Sequence, residues 1–89
     1  MSFRLSGEIK EKQLFKEIME GGIDRGGKVF YREDKDGNII EIVYFSGAKR
    51  VRYNGEIDQE FATIIRAHGS KVKILDFDES EGILKIIQE

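Results

Sequence analysis

Basic and aromatic residues, placed in segments with strand-like alternation, are the strongest chemical signal in this sequence. The basic set is Lys49, Arg50, Arg52, Lys71 and Lys73, and the aromatic set is Phe30, Tyr31, Tyr44, Phe45 and Tyr53. Cationic side chains neutralise phosphates, and exposed rings stack on nucleic acid bases. The basic set therefore predicts a sheet surface that binds RNA or single-stranded DNA. The formal net charge of −2 weighs against it, and so does the tendency of large rings to lie in a core.

Side chains suited to nucleophilic catalysis are scarce. His68 is the sole histidine, and the sequence contains no cysteine. His68 falls in the last turn of a predicted helix, just before Gly69, where histidine commonly interacts with the terminal carbonyl groups. The serines have no second histidine with which to form a relay. We therefore predict no catalytic residues and a protein that is not an enzyme.

Two acidic segments and one glycine-rich segment are the candidate ligand sites of the sequence. In the segment 34–45, glycine is fourth rather than sixth and Phe45 is twelfth, so the segment departs from a calcium loop and is better explained as a hairpin turn. The acidic cluster Asp76, Asp78, Glu79 and Glu81 fits a solvated turn. The glycine-rich segment 21–27 connects a predicted helix to the strand that follows it. A phosphate-binding loop runs the other way, from a strand into a helix, so the segment is better explained as a binding loop of another kind. We predict no metal site and no cofactor.

Composition limits the class of protein. The chain has 89 residues, 39% of them hydrophobic and 36% charged, which predicts one folded domain over residues 1–89. The absence of cysteine and of a long apolar run predicts a cytoplasmic protein that does not enter membranes. Abundant charge without proline is typical of a thermophilic or designed sequence.

An internal repeat predicts the architecture. The segment Arg4–Ile9 recurs as Arg52–Ile57, and similar apolar patterns follow both copies in the same order. Such self-similarity indicates a tandem duplication. We predict two βαββ units related by pseudo-twofold symmetry, the first in residues 1–47 and the second in residues 48–89.

Periodicity and turn signals define the elements. Predicted helices cover residues 9–20 and 56–67, and predicted strands cover residues 2–6, 28–33, 38–45, 49–53, 71–77 and 82–88. The helix ends are assigned to the pair Gly21 and Gly22 and to Gly69. The fold class is therefore α+β, with two helices and a mainly antiparallel sheet of up to eight strands. The sheet would be strongly curved if both of its faces are to be buried within the chain.

Two predicted strands are apolar on both faces. In the first, Ile39, Val43 and Phe45 alternate with Ile40, Ile42 and Tyr44, and the last strand repeats the pattern around Ile83 and Ile87. Such strands need a cover on each face. Either the sheet curves around itself, or a second copy or another protein covers a partner interface formed by Ile39, Val43, Phe45, Ile83 and Ile87.

These observations favour a small non-enzymatic binding or protein-interaction module, with a homodimer as one form of partner. The first alternative is RNA or single-stranded DNA binding through the basic set. The second alternative is a phage-encoded inhibitor or a designed scaffold without a native function. A repeat and a fold class do not by themselves decide among these hypotheses.

Overall fold

A computed structural model describes the backbone of residues 2–4, 7–46, 49–78 and 83–88, and the side chains of residues 7–46 and 50–73. Within these residues the chain forms two helices and seven strands. The helices are α1 (Lys12–Ile23) and α2 (Gln59–His68), and the strands are β1 (Ser2–Arg4), β2 (Gly7–Ile9), β3 (Lys28–Glu33), β4 (Ile39–Ser46), β5 (Lys49–Tyr53), β6 (Ser70–Asp78) and β7 (Ile83–Gln88). The fold is α+β, as predicted.

The strands form a mixed sheet with the order β1-β7-β6-β3-β4-β5-β2. The pairs β2–β5 and β3–β6 are parallel, and the other neighbouring pairs are antiparallel. Five of these strands, β6-β3-β4-β5-β2, make one continuous mixed sheet, and β7 and β1 extend it beyond β6. The prediction allowed up to eight strands, and the described residues form seven, with no ladder between them that closes the sheet.

The two ends of the sheet are consecutive in the chain, since β1 ends at Arg4 and β2 begins at Gly7. Three residues of extended chain span at most about 11 Å. The sheet must therefore curve until its two ends approach each other. We call the surface of the sheet away from the helices the second face.

The hairpin of β3 and β4 is confirmed, and its turn explains the acidic segment. The Asp34 carboxylate accepts hydrogen bonds from the N–H groups of Asp36 and Asn38, both at 2.9 Å. Gly37 adopts φ 86°, the left-handed conformation that glycine tolerates best. The carboxylate of Asp34 is thus used by its own turn.

Both ends of α1 differ from the prediction. Gly7–Ile9 forms a strand, with Ile9 opposite Tyr53 of β5, so the helix begins later than residue 9. Gly21 and Gly22 lie inside the helix, which continues to Ile23. Sequence periodicity placed the repeated Gly-Glu-Ile segment at a helix start because it cannot show that a neighbouring strand will pair with it.

The second helix begins at a clear cap. Asp58 precedes the first turn, and its Oδ1 accepts a hydrogen bond from the N–H of Phe61 at 2.7 Å. The helix covers Gln59–His68 rather than the predicted residues 56–67, and Gly69 after it has extended rather than left-handed backbone angles. Since Gly7–Ile9 is a strand whereas the corresponding residues 55–57 are not, the structure does not support the predicted duplication.

The main core lies between the two helices and the sheet. Three rings fill its centre, with 4.9 Å between the centroids of Tyr53 and Phe61 and 5.2 Å between those of Phe15 and Tyr53. The buried members of this helix-side core are Phe15, Met19, Val29, Tyr31, Ile39, Ile42, Tyr44, Tyr53, Phe61, Ala62 and Ile65. Packing of two amphipathic helices on one sheet face accounts for this layer.

A β-bulge interrupts the pairing of β3 with β4. Arg32 lies opposite Glu41 and Glu33 lies opposite Ile39, so Ile40 is an extra residue between them. The Ile40 side chain is 41% exposed. A bulge of this kind changes which side chains share a face, because alternation is broken by one residue.

Candidate functional site

The predicted basic residues do not form one surface. Arg50 and Arg52 lie opposite Phe45 and Val43 in the antiparallel ladder, so they project from the second face. Lys71 is on the helix side, where its Nζ lies 3.2 Å from Glu33 Oε1. The side chain of Lys73 is exposed, and that of Lys49 is outside the described side chains.

The predicted partner interface is also divided. Because of the bulge, Ile39 belongs to the helix-side core, while Val43 and Phe45 lie on the second face. Val43 is fully buried, at 0% exposure, within the single chain. Of these three residues Phe45 keeps an accessible surface. The side chains of Ile83 and Ile87 are outside the described side chains.

The second face carries a compact aromatic and cationic group. Phe30 and Phe45 are half-buried and meet edge to face, with 5.2 Å between ring centroids and an interplanar angle of 77°. The Arg50 guanidinium carbon lies 5.4 Å from the centroid of the Phe45 ring, within the range of a cation–π contact. We call the group formed by Phe30, Phe45, Arg32, Arg50 and Arg52 the second-face patch.

Two arginines of the second-face patch are paired with carboxylates. Arg52 lies 3.2 Å from Glu8 Oε1 across the parallel β5–β2 pair. Arg32 donates through Nε to Glu41 Oε1 at 3.1 Å, and its second nitrogen donates to the same oxygen. The other oxygen, Glu41 Oε2, is buried and has no hydrogen-bond partner. The patch therefore combines positive groups with nearby negative ones rather than presenting an excess of positive charge.

Arg32 and Glu41 were missed by sequence reasoning. Arg32 and Glu41 lie directly opposite each other in the β3–β4 hairpin. A turn predicted at residues 34–37 gives approximately this pairing of the two strands. A search for opposite charges across the predicted hairpin could have found them. Phe30 was named among the rings, but its face could not be assigned without the position of the helices.

A three-residue ion cluster ties α2 to the sheet on the helix side. Glu33 accepts from Lys71 Nζ and from Arg66 Nε, both at 3.2 Å, and Arg66 also donates to the carbonyl of Gly37 at 2.7 Å. The Lys71 hydrogen bond, followed by that of Arg66, holds the pKa of the Glu33 carboxyl below its ordinary value. Lys71 thus has a structural partner at the position where sequence analysis predicted a nucleic acid contact.

The remaining titratable groups do not converge. His68 is exposed in the last turn of α2. Among residues whose side chains are described, no group of three or more histidine, cysteine, aspartate or glutamate side chains is placed to hold a metal ion. The described helices include none with the length and apolar character needed to cross a bilayer.

Fold and site together define a small α+β domain with a curved mixed sheet and an aromatic–arginine patch on its second face. No family model, curated protein or solved structure matches the chain. Function must therefore be argued from the second-face patch itself.

Proposed function

We propose that this chain is a small non-enzymatic protein-interaction module and that the second-face patch binds a protein partner. The observation that carries the proposal is that the half-buried rings of Phe30 and Phe45 lie beside three arginines, on a face whose central valines, Val43 and Val72, are 0% and 1% exposed. Aromatic residues and arginine are enriched in the parts of interfaces that contribute most binding energy.

The size of the patch sets the kind of partner. Because the chain itself buries Val43 and Val72, the second face does not need another subunit to cover its centre. Among the described side chains of this face, Phe30 and Phe45 are half-buried, and a contact limited to such side chains suits a transient complex better than an obligate dimer. The partner surface that fits would place an apolar side chain against the rings and carboxylate or carbonyl oxygens near the arginines.

Binding of single-stranded nucleic acid is the second candidate, because the patch brings rings and arginines onto one sheet face. The pairing of Arg52 with Glu8 and of Arg32 with Glu41 favours the protein partner. A polyanion would have to compete with both carboxylates, and the formal charge of the chain is −2.

Affinity capture with matched variants tests the proposal. The wild-type chain, Phe45→Ala and Leu14→Ala are used as baits, since Leu14 is also an exposed apolar residue, 44% accessible, but lies on α1. A protein captured by the wild type is purified, and its binding to each variant is measured. We expect Phe45→Ala to weaken binding by about tenfold or more and Leu14→Ala to leave it unchanged.

The protein-partner and nucleic-acid hypotheses predict different results in the same assay. Equal binding by Phe45→Ala and the wild type would remove the second-face patch as the interface. Retention of RNA or single-stranded DNA by the wild type, with steep loss as salt rises and loss in Arg50→Glu, would assign the patch to nucleic acid instead.

A further inference from the structure

A cleft of about 290 Å³ lies on the helix side of the sheet, where the last turns of α1 meet the end of β4. Its lining residues are Glu17, Ile18, Gly21, Gly22, Arg25, Tyr44 and Ser46. Tyr44 projects toward the helices, so this cleft is separate from the second-face patch. Its volume is close to the lower limit of pockets that hold small ligands.

Two glycines make room for the Tyr44 hydroxyl. A Cβ atom on Gly22 would stand 1.6 Å from the Tyr44 hydroxyl oxygen, and a Cβ on Gly27 would stand 2.7 Å from it. The hydroxyl therefore occupies the space that side chains at these positions would need. This explains why glycines occur inside α1 and after it, where sequence analysis predicted a helix end and a binding loop.

The Tyr44 hydroxyl has no hydrogen-bond partner among the described residues, although the Tyr44 residue is 3% exposed. Tyr44 is nevertheless one of the residues that line the cleft. By contrast, the buried Tyr53 hydroxyl donates to the carbonyl of Glu56 at 2.6 Å. Tyr44 thus offers one donor and one acceptor to the cleft, and no hydrogen bond to another described residue occupies them.

Charged groups of both signs border the cleft. Glu17 and Arg25 are exposed and form no ion pair among the described residues. The Glu17 carboxylate accepts a long, 3.4 Å hydrogen bond from Gln13. Ser46 adds a second hydroxyl to the lining. The cleft therefore combines a cation, an anion and two hydroxyls with one apolar wall at Ile18.

We propose that the cleft binds a small zwitterion of the amino-acid type. Its carboxylate is held by Arg25 with the hydroxyls of Tyr44 and Ser46, and its ammonium group by Glu17. Charge-assisted hydrogen bonds to both ends distinguish such a ligand from a simple acid or amine. Gly21 leaves the cleft open beside α1, because nothing lies within 4 Å of a Cβ at that position.

The test is an NMR titration of the isotope-labelled chain with single free amino acids, propionate and ethylamine. At tens of millimolar ligand, we expect amide shifts at the cleft for at least one amino acid and much smaller shifts for propionate and ethylamine. Tyr44→Phe keeps the ring in its slot and is expected to weaken binding roughly tenfold. Tyr31→Phe, a buried tyrosine outside the cleft, serves as the control and is expected to bind like the wild type.

Three results would overturn the proposal. The first is the absence of cleft shifts with every amino acid, and the second is equal affinity of Tyr44→Phe and the wild type. The third is equal binding of propionate, which would make the cleft a simple anion site. None of these results bears on the second-face patch, so the two proposals stand or fall separately.

Discussion

The aromatic rings on the two faces of the curved sheet differ in how deeply they are buried. On the helix side, Phe15, Tyr53 and Phe61 meet between the helices and the sheet and are 0 to 4% exposed. On the second face, Phe30 and Phe45 meet each other equally closely but stay half-buried. Similar ring contacts therefore serve different purposes. The rings of the helix side belong to the main core, and the two rings of the second face remain partly accessible.

The largest expected effect tests whether the helix side dominates stability. Replacing the fully buried Phe15 by alanine leaves a cavity between α1 and the ring cluster, and we expect it to cost about 3–5 kcal/mol of unfolding free energy. Phe45→Ala removes a half-buried ring and is expected to cost about 1–2 kcal/mol, roughly in proportion to the area it buries. Urea unfolding measures both. Equal losses would show that the two faces contribute alike.

A second prediction concerns the close approach of α1 to the sheet. Gly22→Ala places a methyl group on the Tyr44 hydroxyl and is expected to cost about 1–3 kcal/mol through displacement of the ring. Gly21→Ala is the matched control, because nothing lies within 4 Å of a Cβ at that position. It is expected to stabilise the helix by about 0.5–1 kcal/mol. Thermal unfolding of the two variants in parallel makes the comparison.

The changes in unfolding free energy are expected to have opposite signs in these two glycine variants, and this difference tests the position of Tyr44. If Gly22→Ala raised the unfolding free energy as Gly21→Ala is expected to do, Tyr44 would not occupy the place that the structure gives it. Adding Tyr44→Phe to Gly22→Ala should recover part of the lost stability, since removal of the hydroxyl relieves the shortest of the three contacts.

A third prediction addresses the junction between the helices. Asp58 caps α2 and also lies 2.7 Å from the Nζ of Lys12 at the start of α1. Asp58→Ala removes both interactions and should lower the melting temperature by a few degrees. Asp58→Asn retains a good capping side chain without the charge and should lose less. A larger loss in the asparagine variant than in the alanine variant would contradict the capping role.

The smallest expected effect is a dependence of stability on pH. Lys71 holds the pKa of the Glu33 carboxyl below its ordinary 4.5, so the unfolded chain binds a proton at a pH where the folded chain does not. The stabilisation from Glu33 is therefore complete above that value and is lost as pH falls through the lower, folded value. Urea unfolding of the wild type and Glu33→Gln between pH 6 and pH 3 checks this. The variant should show a shallower decline; an identical decline would remove Glu33 as a contributor.

Local signals in the sequence were sufficient for part of the fold. The turn at residues 34–37 carries its own carboxylate and glycine, and β3 was predicted with the bounds that the structure gives it, Lys28–Glu33. The end of α2 just before Gly69 could also be predicted from the local sequence to within one residue. These elements depend on contacts between residues close in sequence, which is why a single sequence predicts them.

Features that depend on distant contacts were not predicted. The bulge at Ile40 placed Ile39 and Val43 on opposite faces, although their spacing suggested one face. Gly22 was assigned to a helix end because the need for space beside Tyr44 arises only in the folded chain. The candidate site was affected in the same way, since the faces of Arg50 and Lys71 depend on strand pairing.

The central claim is that the margin of the second face, rather than α1, contacts a protein partner. Isothermal titration calorimetry of a captured, purified partner against Phe45→Ala and Leu14→Ala tests it most directly. The account predicts at least about tenfold weaker binding for Phe45→Ala and wild-type affinity for Leu14→Ala, with both variants folded. Wild-type affinity for Phe45→Ala, with loss in Leu14→Ala, would place the interface on the helix and contradict the claim.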